Sequence, residues 1–166
     1  MTERIEDYGL IGNTYSAALV SRGGSIDWLC LPRFDSESVF GALLGDRTHG
    51  RWLIAPEDPT AQSSRSYRGN SGILDTRFET EGGSVVVTDF MPLHDSEDQV
   101  ELIRLVRGER GRLRPPDSPA RPPDRPAARG EAVAANDRAR RCVISMEAPG
   151  LVGGAVPWRN GSRITG

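Results

Sequence analysis

The triplet Arg33-Phe34-Asp35 follows Pro32 and sets two opposite charges on either side of an aromatic ring. Arg and Asp bond hydroxyl groups, and an aromatic face stacks on a flat apolar ring face, so the triplet suits the holding of a polyhydroxylated ring. A plainer reading is a loop fixed by its own Arg33–Asp35 ion pair, and both readings stay open at this level. Asp27, Asp35, Asp75 and Asp89 supply carboxyls. Hydrolysis of a glycosidic bond with inversion needs two of them about 6.5–9.5 Å apart, one with a raised pKa. Yet 23 acidic residues make such pairs easy to find in any fold. The plainer reading is that these acids cap turns and face solvent. Asp35 or Ser36 is expected to cap a short helix, and Asp89 to pair with an Arg such as Arg77 across a hairpin.

The remaining reactive types stand alone. Trp28 and Trp52 suit stacking on a sugar, but each lies within an apolar strand, where core packing explains it. His49 and His94 are isolated beside turn residues, and neither Cys30 nor Cys142 has a second Cys or His at ligand spacing. No metal site is therefore expected. There is no G-x-S-x-G elbow for a serine nucleophile, and Gly23-Gly24 is not followed by a helix bearing Lys and Ser/Thr. No cofactor and no catalytic residue is assigned.

The elements that must hold these residues are strands and tight turns. Tyr8 to Asn13 is a short apolar piece closed by a Gly-Asn turn signal. Runs 15–21 and 26–31 flank Arg22-Gly-Gly-Ser25 as a hairpin. A short helix is expected through Val39–Leu44, closed by Gly45, and a strand from Gly50 to Ala55 stops at Pro56. Ser63–Arg68 is an edge-strand candidate. In 72–79, Leu74, Thr76 and Phe78 fall on one face, with Ile73, Asp75 and Arg77 on the other. Val85–Met91 is the strongest strand, and Val100–Arg107 comes after it. The fold class expected is all-β: an incomplete antiparallel β-sandwich with a short helix and a disordered C-terminal tail.

Charge and composition divide the chain. Residues 1–109 carry a formal charge of −8 and nine of the ten aromatics, whereas residues 110–166 carry +6 and eight of the twelve prolines. The core must lie in the first part. Every basic residue is Arg. Six prolines between Arg112 and Pro126 deny donors to a sheet and break helices, so this stretch is expected to be disordered. Ala127–Arg141 is read as a fraying helix and Cys142–Met146 as a lone strand-like run. The basic tail suits weak, salt-sensitive phosphate contacts, but without aromatics or an ordered scaffold nucleic acid is not an expected partner. The acidic start lacks a secretory pattern, no run has the roughly 18–20 apolar residues of a membrane span, and a cytoplasmic protein with reduced thiols is expected.

The runs Glu6–Asn13 and Ala17–Ser36, above all Gly23-Gly-Ser-Ile-Asp-Trp-Leu-Cys-Leu-Pro-Arg-Phe-Asp-Ser36, resemble the N-terminal domain of bacterial glycoside hydrolase family fifteen enzymes, the glucoamylase-like and trehalase-like proteins. Gly45, Gly50–Pro56, Tyr67-Arg68 and Thr88–Pro92 continue the resemblance, which covers about residues 5–111. It implies a portion of a larger supersandwich that packs on a catalytic α/α barrel absent from this sequence. It also implies contact with an α-glucoside or trehalose near Arg33, Phe34 and Asp35. The two catalytic glutamates of such enzymes sit on the barrel, so none is carried over here. The expected division is 1–111 as the β-sandwich portion and 112–166 as a Pro/Arg-rich tail, disordered or read in a shifted frame. A stand-alone carbohydrate- or protein-binding module is the alternative.

Overall fold

The computed structural model of the chain describes residues 3–94, 99–111, 129–134 and 139–147. One antiparallel sheet holds β1 (Tyr8–Gly12), β2 (Ala17–Ser21), β3 (Ser25–Cys30) and β4 (Ser38–Phe40) in sequence order, with the short β5 (Trp52–Leu53) also on β3. The other holds β6 (Gln62–Tyr67), β7 (Leu74–Thr80), β8 (Gly83–Phe90), β9 (Gln99–Gly111), β10 (Arg129–Ala134) and β11 (Ala139–Glu147). Its order is β10-β11-β9-β8-β7-β6, all antiparallel.

The core lies between the two sheets, as two amphipathic sheet faces require. Ile11, Val20, Ile26 and Leu29 come from the first sheet; Leu74, Phe78, Val87 and Leu102 come from the second. The period of two read from 74–79 holds: Leu74, Thr76 and Phe78 are buried, while Asp75 and Arg77 face outward. Side chains of β6 close one margin of the sandwich. Tyr67 Oη donates to the Leu10 carbonyl at 2.8 Å, and Arg65 Nη1 to the Val20 carbonyl at 2.9 Å.

The β2–β3 hairpin turns as expected at Arg22-Gly-Gly-Ser25. Gly24 has φ 78°, and a Cβ there would stand 2.2 Å from the Ile54 carbonyl oxygen. Positive φ and close backbone approach both demand glycine.

Three expectations are corrected. The helix through Val39–Leu44 is instead strand β4 followed by one 3₁₀ turn, Ala42–Leu44, whose N-cap is Gly41. Phe40 pairs with Leu29 and buries its ring in the core, which outweighs a short helix with little to nucleate it. Asp35 and Ser36 accordingly cap no helix. The fraying helix over 127–141 is replaced by strands β10 and β11, because β11 finds a partner in β9 along Gln99–Arg107. The strand read at Cys142–Met146 lies inside β11 and is not alone. The proline-rich stretch up to residue 128 lies outside the described residues. Last, Asp89 does not pair with Arg77. Arg77 is opposite Val86, on the outer face, whereas Asp89 is opposite Leu74, on the core face. Residues of opposite parity on neighbouring strands cannot meet.

Candidate functional site

The Arg33–Asp35 loop leaves β3 through buried Leu31 and a cis Leu31–Pro32 bond. Its backbone is tied at three points. Arg33 N donates to Ser36 Oγ at 3.1 Å, Ser36 N to the Arg33 carbonyl at 3.1 Å, and Phe34 N to the Tyr15 carbonyl at 3.0 Å. Arg33 Nε meets Asp35 Oδ1 at 3.3 Å. Phe34 between them is 60% exposed. The structure therefore contains both features that the sequence left open, an internal ion pair and an aromatic ring offered to solvent. Arg33 and Asp35 are themselves exposed, so their pairing contributes little to stability, about 0–1 kcal/mol. Such a loop presents a ring face flanked by hydroxyl-bonding groups on a fixed backbone.

The loop rests on the turn between β1 and β2. Asn13, buried, accepts from the amides of Tyr15 (3.2 Å) and Ser16 (3.0 Å) through Oδ1. Ser16 Oγ donates to the carbonyl of Cys30, the last residue of β3. Thr14 has φ 77°. The Gly12-Asn13 turn signal locates this turn from sequence, but nothing there reveals that it supports the loop.

The other acids are not assembled with Asp35, and each has its own partners. Asp27 is buried and accepts from Tyr8 Oη (2.7 Å) and Ser25 Oγ (2.5 Å). Burial, then the hydrogen bond to Asp27 and its charge, push the Tyr8 phenol well above its ordinary value. Asp75 takes Arg68 Nε at 2.7 Å, Arg68 Nη2 at 3.0 Å and Thr88 Oγ1 at 2.5 Å. Burial alone would raise Asp75, but the hydrogen bonds from Arg68 and Thr88 outweigh it and hold the carboxyl below its usual range. Asp89 and Arg104 form a fully buried pair, with Nε to Oδ1 at 2.7 Å and Nη2 to Oδ2 at 3.1 Å.

Sequence reasoning does not single out Arg104, and it is the most connected side chain of the core. Nη1 donates to the Trp52 carbonyl at 2.8 Å and Nη2 to the Gly24 carbonyl at 2.9 Å, so one guanidinium bonds across to the other sheet. It also lies 5.3 Å from the centre of the Trp52 ring. Trp52 is thus a core residue, as its apolar surroundings suggested. Trp28 is half-buried on the outer side of its sheet, level with Leu19 and Leu10 across β2 and β1. His49 serves its own turn with Asp46 at 3.2 Å, and His94 Nε2 lies 3.7 Å from Glu101 Oε2. Among the described residues no three His, Cys, Asp or Glu gather as a metal would require, and no helix is long and apolar enough to cross a membrane.

Comparison with known proteins matches residues 1–113 to the family described as trehalase-like, N-terminal. A trehalase of Mycolicibacterium smegmatis is 40% identical over 94 residues, which cover 55% of this chain and 14% of that protein. Trehalase 1 of Sulfolobus acidocaldarius is 42% identical over 101 residues, 61% of this chain and 17% of that protein. A trehalase of Thermoplasma volcanium is 40% identical over 96 residues, covering 57% and 15%. The matched stretch thus spans about one-seventh of these relatives' length. No solved structure matches. With the hairpin motif, the Arg33–Asp35 loop and strands β1 to β9 all inside the matched stretch, the chain belongs to the trehalase-like N-terminal family.

Proposed function

We propose that this chain carries the non-catalytic N-terminal β-sandwich domain of a glucoamylase-like or trehalase-like glycoside hydrolase of family fifteen. Its role is to pack on a catalytic α/α barrel and to shape the substrate entrance with Arg33, Phe34 and Asp35. By itself it hydrolyses no glycoside. The observation that carries this reading is Phe34: a large apolar ring kept 60% exposed on a loop with three backbone ties, between two hydroxyl-bonding charges. A single exposed apolar side chain is ordinary on a protein surface, and Ile5, Leu44 and Leu93 are more exposed than Phe34; what supports the reading is the place of the ring between Arg33 and Asp35 on a tied loop. The other acids that the sequence offered have structural partners of their own. Asp27, Asp75 and Asp89 are engaged by Tyr8 and Ser25, by Arg68 and Thr88, and by Arg104.

The test is a chimera in which residues 1–113 of this chain replace the matched stretch of the Mycolicibacterium smegmatis trehalase. The chimera is expected to release glucose from trehalose. Arg33→Ala or Phe34→Ala in it should raise KM several-fold and leave the melting temperature unchanged. Unchanged kinetics with a lower melting temperature would assign the loop a purely structural role. The chain alone is expected to release no glucose from trehalose, maltose or starch. A second reading, a stand-alone carbohydrate-binding module, draws on the outer row Leu10, Leu19 and Trp28. Saturable binding of maltose by the free chain, lost in Trp28→Ala and kept in Phe34→Ala, would favour it.

A further inference from the structure

We propose that Asn13 is the positioning residue of the Arg33–Asp35 loop, acting through the turn beneath it rather than by contact with any ligand. The inference rests on the reading of Phe34 as the recognition surface, and its test is independent of that reading.

Asn13 is 1% exposed. Its Oδ1 takes both the Tyr15 and the Ser16 amide, and its own backbone amide donates to the Ser16 carbonyl at 3.1 Å. These three bonds close a ring of chain around Thr14, which sits at φ 77°. A β-branched residue avoids that conformation unless its neighbours enforce it. Two bonds then leave the turn toward the loop. Ser16 Oγ holds the Cys30 carbonyl at the end of β3, two residues before Pro32. The Tyr15 carbonyl receives the Phe34 amide at 3.0 Å. The backbone of Phe34 is therefore anchored to an acceptor whose place is set by a buried amide oxygen twenty-one positions earlier.

The two ends of the Asn13 side-chain amide are unequal. Oδ1 has two donors, whereas Nδ2 is buried and has no hydrogen-bond partner. The oxygen carries the role, and the NH₂ group makes no hydrogen bond among the described residues. That inequality makes a sharp test, because aspartate keeps the acceptor and leucine keeps only the shape.

Amide hydrogen exchange is measured by NMR on the full chain. At about pH 3, where an aspartic acid side chain at this buried site is uncharged, the Phe34 amide of Asn13→Leu is expected to exchange roughly tenfold faster or more than in the native chain at the same pH, while amides of β8 keep their protection; in Asn13→Asp the Phe34 rate stays within about threefold of the native one. An unchanged Phe34 rate in Asn13→Leu would overturn the proposal. So would an equal rise at Phe34 and throughout β8, which marks a general contribution to stability, or an Asn13→Asp that behaves like Asn13→Leu. If Asn13→Leu does not fold, Asn13→Ser, with a shorter acceptor, carries the same comparison: selective loss at Phe34 supports the proposal and uniform loss overturns it. Kinetics of the chimera judge the loop's role with sugar; exchange at Phe34 judges its support.

Discussion

The guanidinium of Arg104 occupies a position whose neighbours of equal parity on β9, Val100 and Leu102, are fully buried apolar residues. Taking an unpaired charge there would cost several kcal/mol, so its four hydrogen bonds are the condition of its presence. Removing one partner leaves the other buried and unpaired. Arg104→Met is expected to destabilise the chain by about 3–5 kcal/mol in chemical denaturation. The double variant Arg104→Met/Asp89→Leu should recover part of that loss and remain less stable than the native chain by about 1–3 kcal/mol, because the Trp52 and Gly24 carbonyls lose the Arg104 donors. A double variant no better than the single one would show that the pair is not the unit. A trace of this arrangement is legible in the sequence. Val85, Val87 and Asp89 share one parity, as do Val100, Leu102 and Arg104, and opposite charges at core parity on adjacent strands can meet. The contacts to Trp52 and Gly24 are not legible there, since they depend on how the two sheets stack.

On the outer face of the second sheet, elements are joined by charged side chains. Arg68, just past the end of β6, reaches Asp75 on β7 and Thr88 on β8. Arg77 spans to Glu79 at 2.9 Å and to Glu109 of β9 at 2.5 Å. Asp75 titrates below its ordinary value in the folded chain. A depressed carboxyl contributes stability that is present above the unfolded pKa, near 3.9, and is lost as pH falls through the lower folded value. Asp75→Asn is thus expected to cost about 1 kcal/mol at neutral pH, with a penalty that shrinks as pH falls below about 4. A penalty constant from about pH 7 to about pH 2.5 would mean that packing of the side chain, not its charge, is what counts. At this scale the sequence is most informative where β-branched residues alternate with polar ones, as in β7 and β8. It misleads at Val39–Leu44 and at 127–141, where the local preference of short or alanine-containing runs loses to pairing with β3 and β9.

For the whole molecule, the shift of composition near residue 110 suggests that the residues beyond it add nothing to the fold, yet the pairing runs across it. β11 meets β9 at every position from Gln99 to Arg107, and β10 pairs with β11 in turn. A chain ending at Gly111 would retain the described core between the sheets and lose the neighbour of its longest strand. β9, thirteen residues long, would then stand at the edge with a row of unpaired amides and carbonyls. The bulge of β9 at Glu109 lies outside the stretch 99–107 that β11 covers, so the new edge is long and regular; such edges pair with other copies, and loss of a ladder also lowers stability. We therefore expect the chain ending at Gly111 to melt below the full chain and to self-associate as its concentration rises, as read by differential scanning calorimetry and light scattering. Leu105→Pro and Val106→Pro, made separately in the shortened chain at positions paired with both β8 and β11, each remove one backbone donor. Because successive donors along a strand point to opposite sides, only one of the two faces the new edge. That one should reduce association, whereas the other should break the ladder to β8 and weaken the fold instead. If the shortened chain stays monomeric at high concentration and melts with the full one, β10 and β11 do not support β9, and the sandwich is complete without them.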